Sequence, residues 1–172
     1  MPTLPVGMAA FGLAIACVTD LREGKIPNEL TFSLMLIGLV VNTFLGDPLL
    51  GVLGFALATA IHFPLFALGV EKGGDAKLLM GLGALGGWRL LLETTGWYAI
   101  VYIPVGFAVL AVSGQLPNLK NKALWLYQRA LAKQNGSEFK GEEPPNTMLK
   151  TAPVIAAAWA LAYATTWLER LF

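Results

Sequence analysis

The sequence predicts an all-α, polytopic membrane protein with six transmembrane helices and a cytoplasmic amphipathic helix and loop before the last span. Three observations predict this. Hydrophobic residues make up 56% of the 172 positions and charged residues only 13%, where soluble proteins carry about 25% charged residues. The apolar residues gather into runs of spanning length, and the basic residues gather between alternate runs.

The first run, residues 4–20, has no Lys or Arg before it and reads as a retained span rather than a secretory signal peptide. The stretch LAIAC before Val18 has the form of a lipoprotein processing site but lacks the basic segment such a site needs. Cys17 is therefore read as a small buried hydrophobe. As the one cysteine of the chain, it excludes an internal disulfide and a four-thiolate zinc site. Gly24, Pro27 and Asn28 separate this run from a second at 30–46, and Gly46-Asp47-Pro48 leads into a third at 49–70. Gly73-Gly74 precedes a fourth at 76–92, Thr94-Thr95-Gly96 a fifth at 97–114, and the last covers 151–168. Each is close to the roughly 20 residues that cross a bilayer. Gly83 and Gly87 make a small-residue face for close helix packing.

Charge sets the orientation. With the first loop cytoplasmic, ten of the twelve basic residues fall on the cytoplasmic side, leaving only Arg89 and Arg170 outside. By the positive-inside rule both termini are then non-cytoplasmic, in a multi-pass protein of the inner (plasma) membrane. The polar segment 115–150 begins with LPNLKNKALWLYQRALAK, whose apolar residues recur at helical spacing opposite basic ones. It is expected to lie on the cytoplasmic surface and to pass into a loop at QNGSEFKGEEPPN. No internal repeat interrupts the chain, so 1–172 is expected to form a single membrane-embedded domain.

Ionisable residues in spans are expensive and mark function. Asp47 and Glu93 fall in expected external turns and read as solvated charges. His62, alone in the third span, reads as a packed polar residue bonded to a neighbouring helix. Asp20 ends the first span and Asp75 precedes the fourth, at one membrane face. Singly, Asp20 is an interfacial charge and Asp75 a helix cap. Paired, they offer more, because two close carboxylates resist double ionisation, so one holds a proton while the other activates water. Gly73 and Gly74 leave the backbone beside Asp75 bare for an extended substrate. No Ser/His/Asp set, phosphate loop or metal cluster competes, and neither cofactor, metal nor nucleic acid is expected.

TDLREGKIPN (Thr19 to Asn28) together with GGDAKLLMGLGALGG (Gly73 to Gly87) resembles the type IV prepilin peptidases, membrane aspartyl proteases with a GxGD pattern. The resemblance implies that Asp20 and Asp75 are catalytic, and that Pro27, Asn28 and Lys77 shape the site beside Gly73 and Gly74. It implies cleavage of the basic leader of prepilin-like or pseudopilin-like proteins after a glycine, at the cytoplasmic face. TAPVIAAAWAL from Thr151 resembles the start of the family's last span. Relatives that also N-methylate their product carry a paired CxxC domain, which this sequence does not contain, so methyl transfer is not implied. Lys72 stands where GxGD has its first glycine, and is expected to reach the headgroups. The alternative readings are an inactive homologue acting as an assembly subunit, suggested by Lys72, and a small ion or solute carrier using the two carboxylates.

Overall fold

The computed structural model describes residues 3–67, 70–112 and 150–168, with isolated positions between 121 and 141. The chain divides into two compact units, Met1–Tyr102 with Lys150–Phe172, and Ile103–Leu149. The described elements are all helical: α1 (Thr3–Glu23), α2 (Asn28–Leu45), α3 (Pro48–Ala67), α4 (Gly73–Val112) and α5 (Ala152–Leu168). Leu4–Glu23, Asn28–Leu45 and Pro48–Ala67 are long and apolar enough to cross a membrane, and α5 is a shorter apolar helix. In the second unit, Trp125 Nε1–H donates to the Gly141 carbonyl at 3.1 Å and the Arg129 guanidinium lies 5.2 Å from the Trp125 ring centroid. Residues 124, 125, 127–129, 131 and 132 are helical there, as expected; most of 115–150 lies outside the described residues.

Local chemistry ends each helix where the site needs an end. Gly24 adopts φ +67°, the left-handed region that favours glycine, and its N–H bonds the Asp20 carbonyl at 2.9 Å, so α1 stops just past Asp20. Pro27 then opens α2 from an extended conformation (φ −61°, ψ 138°).

Beyond its charged first turn, the first arm of α4 is apolar all round from Leu78 to Gly86, as a central helix must be. Leu78, Leu79, Leu82 and Leu85 are buried against Leu13 and Ala16 of α1, Leu34 of α2, and Ile155 and Trp159 of α5. Side chains on the outer faces are also apolar: Phe11, Leu36 and Phe44 are mostly exposed, an arrangement that lipid solvates and water does not. Gly54 of α3 packs directly on Gly83 and Gly87, so the small-residue face expected from the sequence is a helix contact.

The break between the expected fourth and fifth spans is displaced. Thr94-Thr95-Gly96 is helical, and the non-helical residue is Gly87 (φ 79°, ψ 176°). Two interactions account for this. The Thr94 hydroxyl donates to the Leu90 carbonyl at 2.6 Å and Thr95 Oγ1 lies 3.2 Å from His62 Nε2, so neither threonine needs a turn to satisfy its polar group. At Gly87, the Asn42 amide of α2 donates to the carbonyls of Ala84 (2.7 Å) and Leu85 (3.2 Å). Those carbonyls would accept from residues 88 and 89 in an unbroken helix. The chain reverses there: a straight helix would carry Thr95 more than about 30 Å from Glu71, yet His62 bonds both residues. Glu93, expected in an external turn, is accordingly a half-buried residue inside α4.

Asn42→Leu strands two buried carbonyls and should cost about 1–3 kcal/mol. Thermal unfolding in detergent should show the loss, and an unchanged transition would exclude the capping role.

Candidate active site

Asp20 and Asp75 approach the start of α5 from different directions. Both are only 2% exposed. Asp20, in the last turn of α1, accepts the Ala152 N–H on Oδ2 at 3.0 Å. That N–H belongs to the first turn of α5 and has no acceptor within its own helix. Asp20 is thus a buried acceptor for another helix's N-terminus rather than an interfacial charge. Lys150 completes the junction, its ammonium donating to the Leu21 carbonyl at the C-terminal end of α1.

Asp75 is the third residue of α4, so it lies inside the first turn and not at the cap. The Thr151 hydroxyl is its side-chain neighbour. Thr151 Oγ1 is buried and makes no fully formed hydrogen bond among the described residues, leaving a polar group at the site with capacity to spare. Burial pushes the Asp75 carboxyl up to about 6; Thr151 and Lys72 oppose the rise, while Glu71 and Asp20 add to it. Asp75 thus takes up a proton as pH falls through about 6.

The expected site-shaping residues form the adjoining wall. The Lys77 ammonium donates to Asn28 Oδ1 at 2.8 Å and lies 5.2 Å from the centroid of the Phe32 ring, tying the first turn of α4 to the start of α2. Gly74 packs on Ile26 of the Ile-Pro-Asn turn, where a Cβ would come within 3.2 Å of Ile26 Cβ. Gly73 faces Phe66, whose Cε2 a Cβ would meet at 3.0 Å. Both glycines therefore serve close packing beside Asp75. Lys72, expected among the headgroups, is half-buried and lowers the Asp75 pKa.

A second polar group includes Glu71, which acts on Asp75. His62, 1% exposed, has Nδ1 3.0 Å from Glu71 Oε2 and Nε2 3.2 Å from Thr95 Oγ1. An imidazole that donates to Glu71 and accepts from Thr95 satisfies both contacts. His62 is bonded across helices, as its isolation in an apolar span suggested. Glu71 is one of several acidic residues near span ends and Thr151 opens the stretch before the last span; nothing in their spacing ties either to Asp75. Among the described residues no group of three or more His, Cys, Asp or Glu is arranged to hold a metal ion.

The profile of the type IV leader peptidase family matches residues 8–116. The chain belongs to that family. A preflagellin peptidase from Methanocaldococcus jannaschii is 38% identical over 85 residues, which cover 45% of this chain and 36% of the relative. A preflagellin peptidase from Methanococcus voltae is 35% identical over 82 residues, 44% of this chain and 35% of the relative. A prepilin leader peptidase/N-methyltransferase from Stutzerimonas stutzeri is 32% identical over 113 residues, 60% of this chain and 39% of the relative. The matched part therefore spans well under half the length of each of these relatives. No solved structure gives a significant match.

Lys72→Met removes a charge that holds the Asp75 pKa down, so the Asp75 midpoint should move above its starting value of about 6. Carboxyl carbon chemical shifts followed against pH would register the rise, and an unmoved midpoint would show that Lys72 does not act on Asp75.

Proposed function

We propose that this chain is a membrane aspartyl endopeptidase that removes the leader of prepilin-like, pseudopilin-like or flagellin-like proteins, cutting after a glycine at the cytoplasmic membrane face. The observation that carries the reading is the approach of two buried aspartates, from α1 and α4, to the first residues of α5. Family membership and the names of the relatives support the reaction class and the substrate class.

The geometry suggests a division of labour. Asp20 Oδ2 already accepts a backbone N–H, so Asp20 acts as the acceptor carboxylate and takes a proton from the attacking water. Asp75, with its pKa raised to about 6, holds the proton that passes to the scissile carbonyl oxygen as water oxygen bonds to the carbon. Collapse of the tetrahedral intermediate breaks the C–N bond, and the amine leaves with a proton returned from the pair. The Thr151 hydroxyl, with hydrogen-bonding capacity to spare, is placed to bind the water or the substrate backbone. The reading covers cleavage alone, since paired CxxC motifs do not occur in these 172 residues. A carrier is less well supported, because both carboxylates stand at helix ends rather than midway along a span.

Either Asp20→Asn or Asp75→Asn should lower cleavage of a prepilin-like substrate in detergent by at least about 100-fold, with the unfolding temperature near that of the unchanged chain. Asp47→Asn, in an exposed turn, should retain full activity. Turnover preserved in a folded Asp20 or Asp75 variant would exclude the paired mechanism.

The proposed topology has six spans, the fourth and fifth meeting at Gly87, with both termini outside in the inner (plasma) membrane. Single cysteines at Asn135 and Pro48 in a Cys17→Ser background should label from opposite sides of intact cells. Labelling from one side would exclude this arrangement.

A further inference from the structure

A cavity of about 340 Å³ lies where α4 reverses. It belongs to the end of the first unit remote from the aspartates, since its α1 wall begins at Pro5, roughly 22 Å along the helix from Asp20. Its volume falls in the range of small-ligand sites. Val6, Leu50, Leu85 and Leu90 make the wall apolar. Arg89, Trp88, Trp159 and Asn42 supply its polar groups, the Asn42 amide being engaged on the carbonyls of Gly38, Ala84 and Leu85. Trp159 is 7% exposed, and its indole N–H is buried with no partner among the described residues. A buried donor in that position is costly unless something accepts from it.

We propose that this cavity binds one anionic membrane lipid, with a hydrocarbon chain against Val6, Leu50, Leu85 and Leu90 and its phosphate at Arg89. Three features select that ligand. Arg89 is exposed at the rim and has no acidic partner among the described residues, so its charge is available to an anion. The second arm of α4 starts immediately after Gly87, and its first N–H groups have no acceptor within that arm. They therefore add a partial positive charge beside Arg89. Trp88 lines the cavity and is exposed beside Arg89, an amphipathic ring suited to the membrane interface, so the occupant comes from the bilayer. An ester or phosphate oxygen of the same lipid would accept the Trp159 N–H.

The test uses the full chain, delipidated and reconstituted in phosphatidylcholine vesicles containing increasing fractions of phosphatidylglycerol with brominated chains. Tryptophan emission should be quenched saturably at low mole fraction. Unbrominated phosphatidylglycerol should reverse the quenching, and added phosphatidylcholine should not. Arg89→Gln should raise the half-saturating fraction about fivefold, the contribution of one basic residue near an anionic headgroup. Val6→Phe, which fills the cavity, should abolish the saturable component. Quenching that grows linearly with mole fraction, occurs equally with brominated phosphatidylcholine, or is unchanged by Arg89→Gln would overturn the proposal. The competition arm needs no variant, and since no readout involves cleavage, the result is independent of the peptidase reading.

Discussion

The hydrogen bond from the Ala152 N–H to Asp20 Oδ2 is the constraint on which the site depends. It joins residues 132 positions apart and settles two electrostatic problems together. The N-terminus of α5 gains an anion and the C-terminus of α1, through Lys150 on the Leu21 carbonyl, gains a cation. The α5 dipole favours Asp20 and the α1 dipole favours Lys150, which also offsets the unfavourable place of Asp20 in the last turn of α1. With α1 and α5 held in this register, Thr151 comes to stand beside Asp75. The buried Asp20 side chain thereby has a hydrogen-bond partner and a fixed position at the start of α5.

The reversal of α4 is the second constraint. Asn42 satisfies two of the carbonyls that the break at Gly87 releases, and Gly54 allows α3 to close on the turn without a side chain in the way. Only because the chain doubles back does Thr95 reach His62, and His62 in turn holds Glu71. Glu71 raises the Asp75 pKa and Lys72, its neighbour in sequence, lowers it. The proton affinity of Asp75 is therefore a balance among burial, Thr151 and two adjacent opposite charges. An ammonium at position 72 is compatible with a proton-holding Asp75 because burial outweighs it.

The sequence by itself determined the helical class, the positions of α1, α2, α3 and α5 to within a few residues, and the two aspartates as candidates. It could do so because apolar runs of spanning length are a strong local signal, and because Gly24 and Pro27 impose their backbone demands wherever the chain goes. Only the tertiary structure decided that the fourth apolar stretch breaks at Gly87 rather than at Thr94-Thr95-Gly96. The physical reason is that a helix ends where its freed carbonyls find other donors, and the donor here is Asn42 on a different helix. Likewise, only packing buries the side chains of Asp20, Glu71 and Thr151 and brings them to act on Asp75. Burial and long-range hydrogen bonds are properties of the packed helices, and no local pattern of residues encodes them.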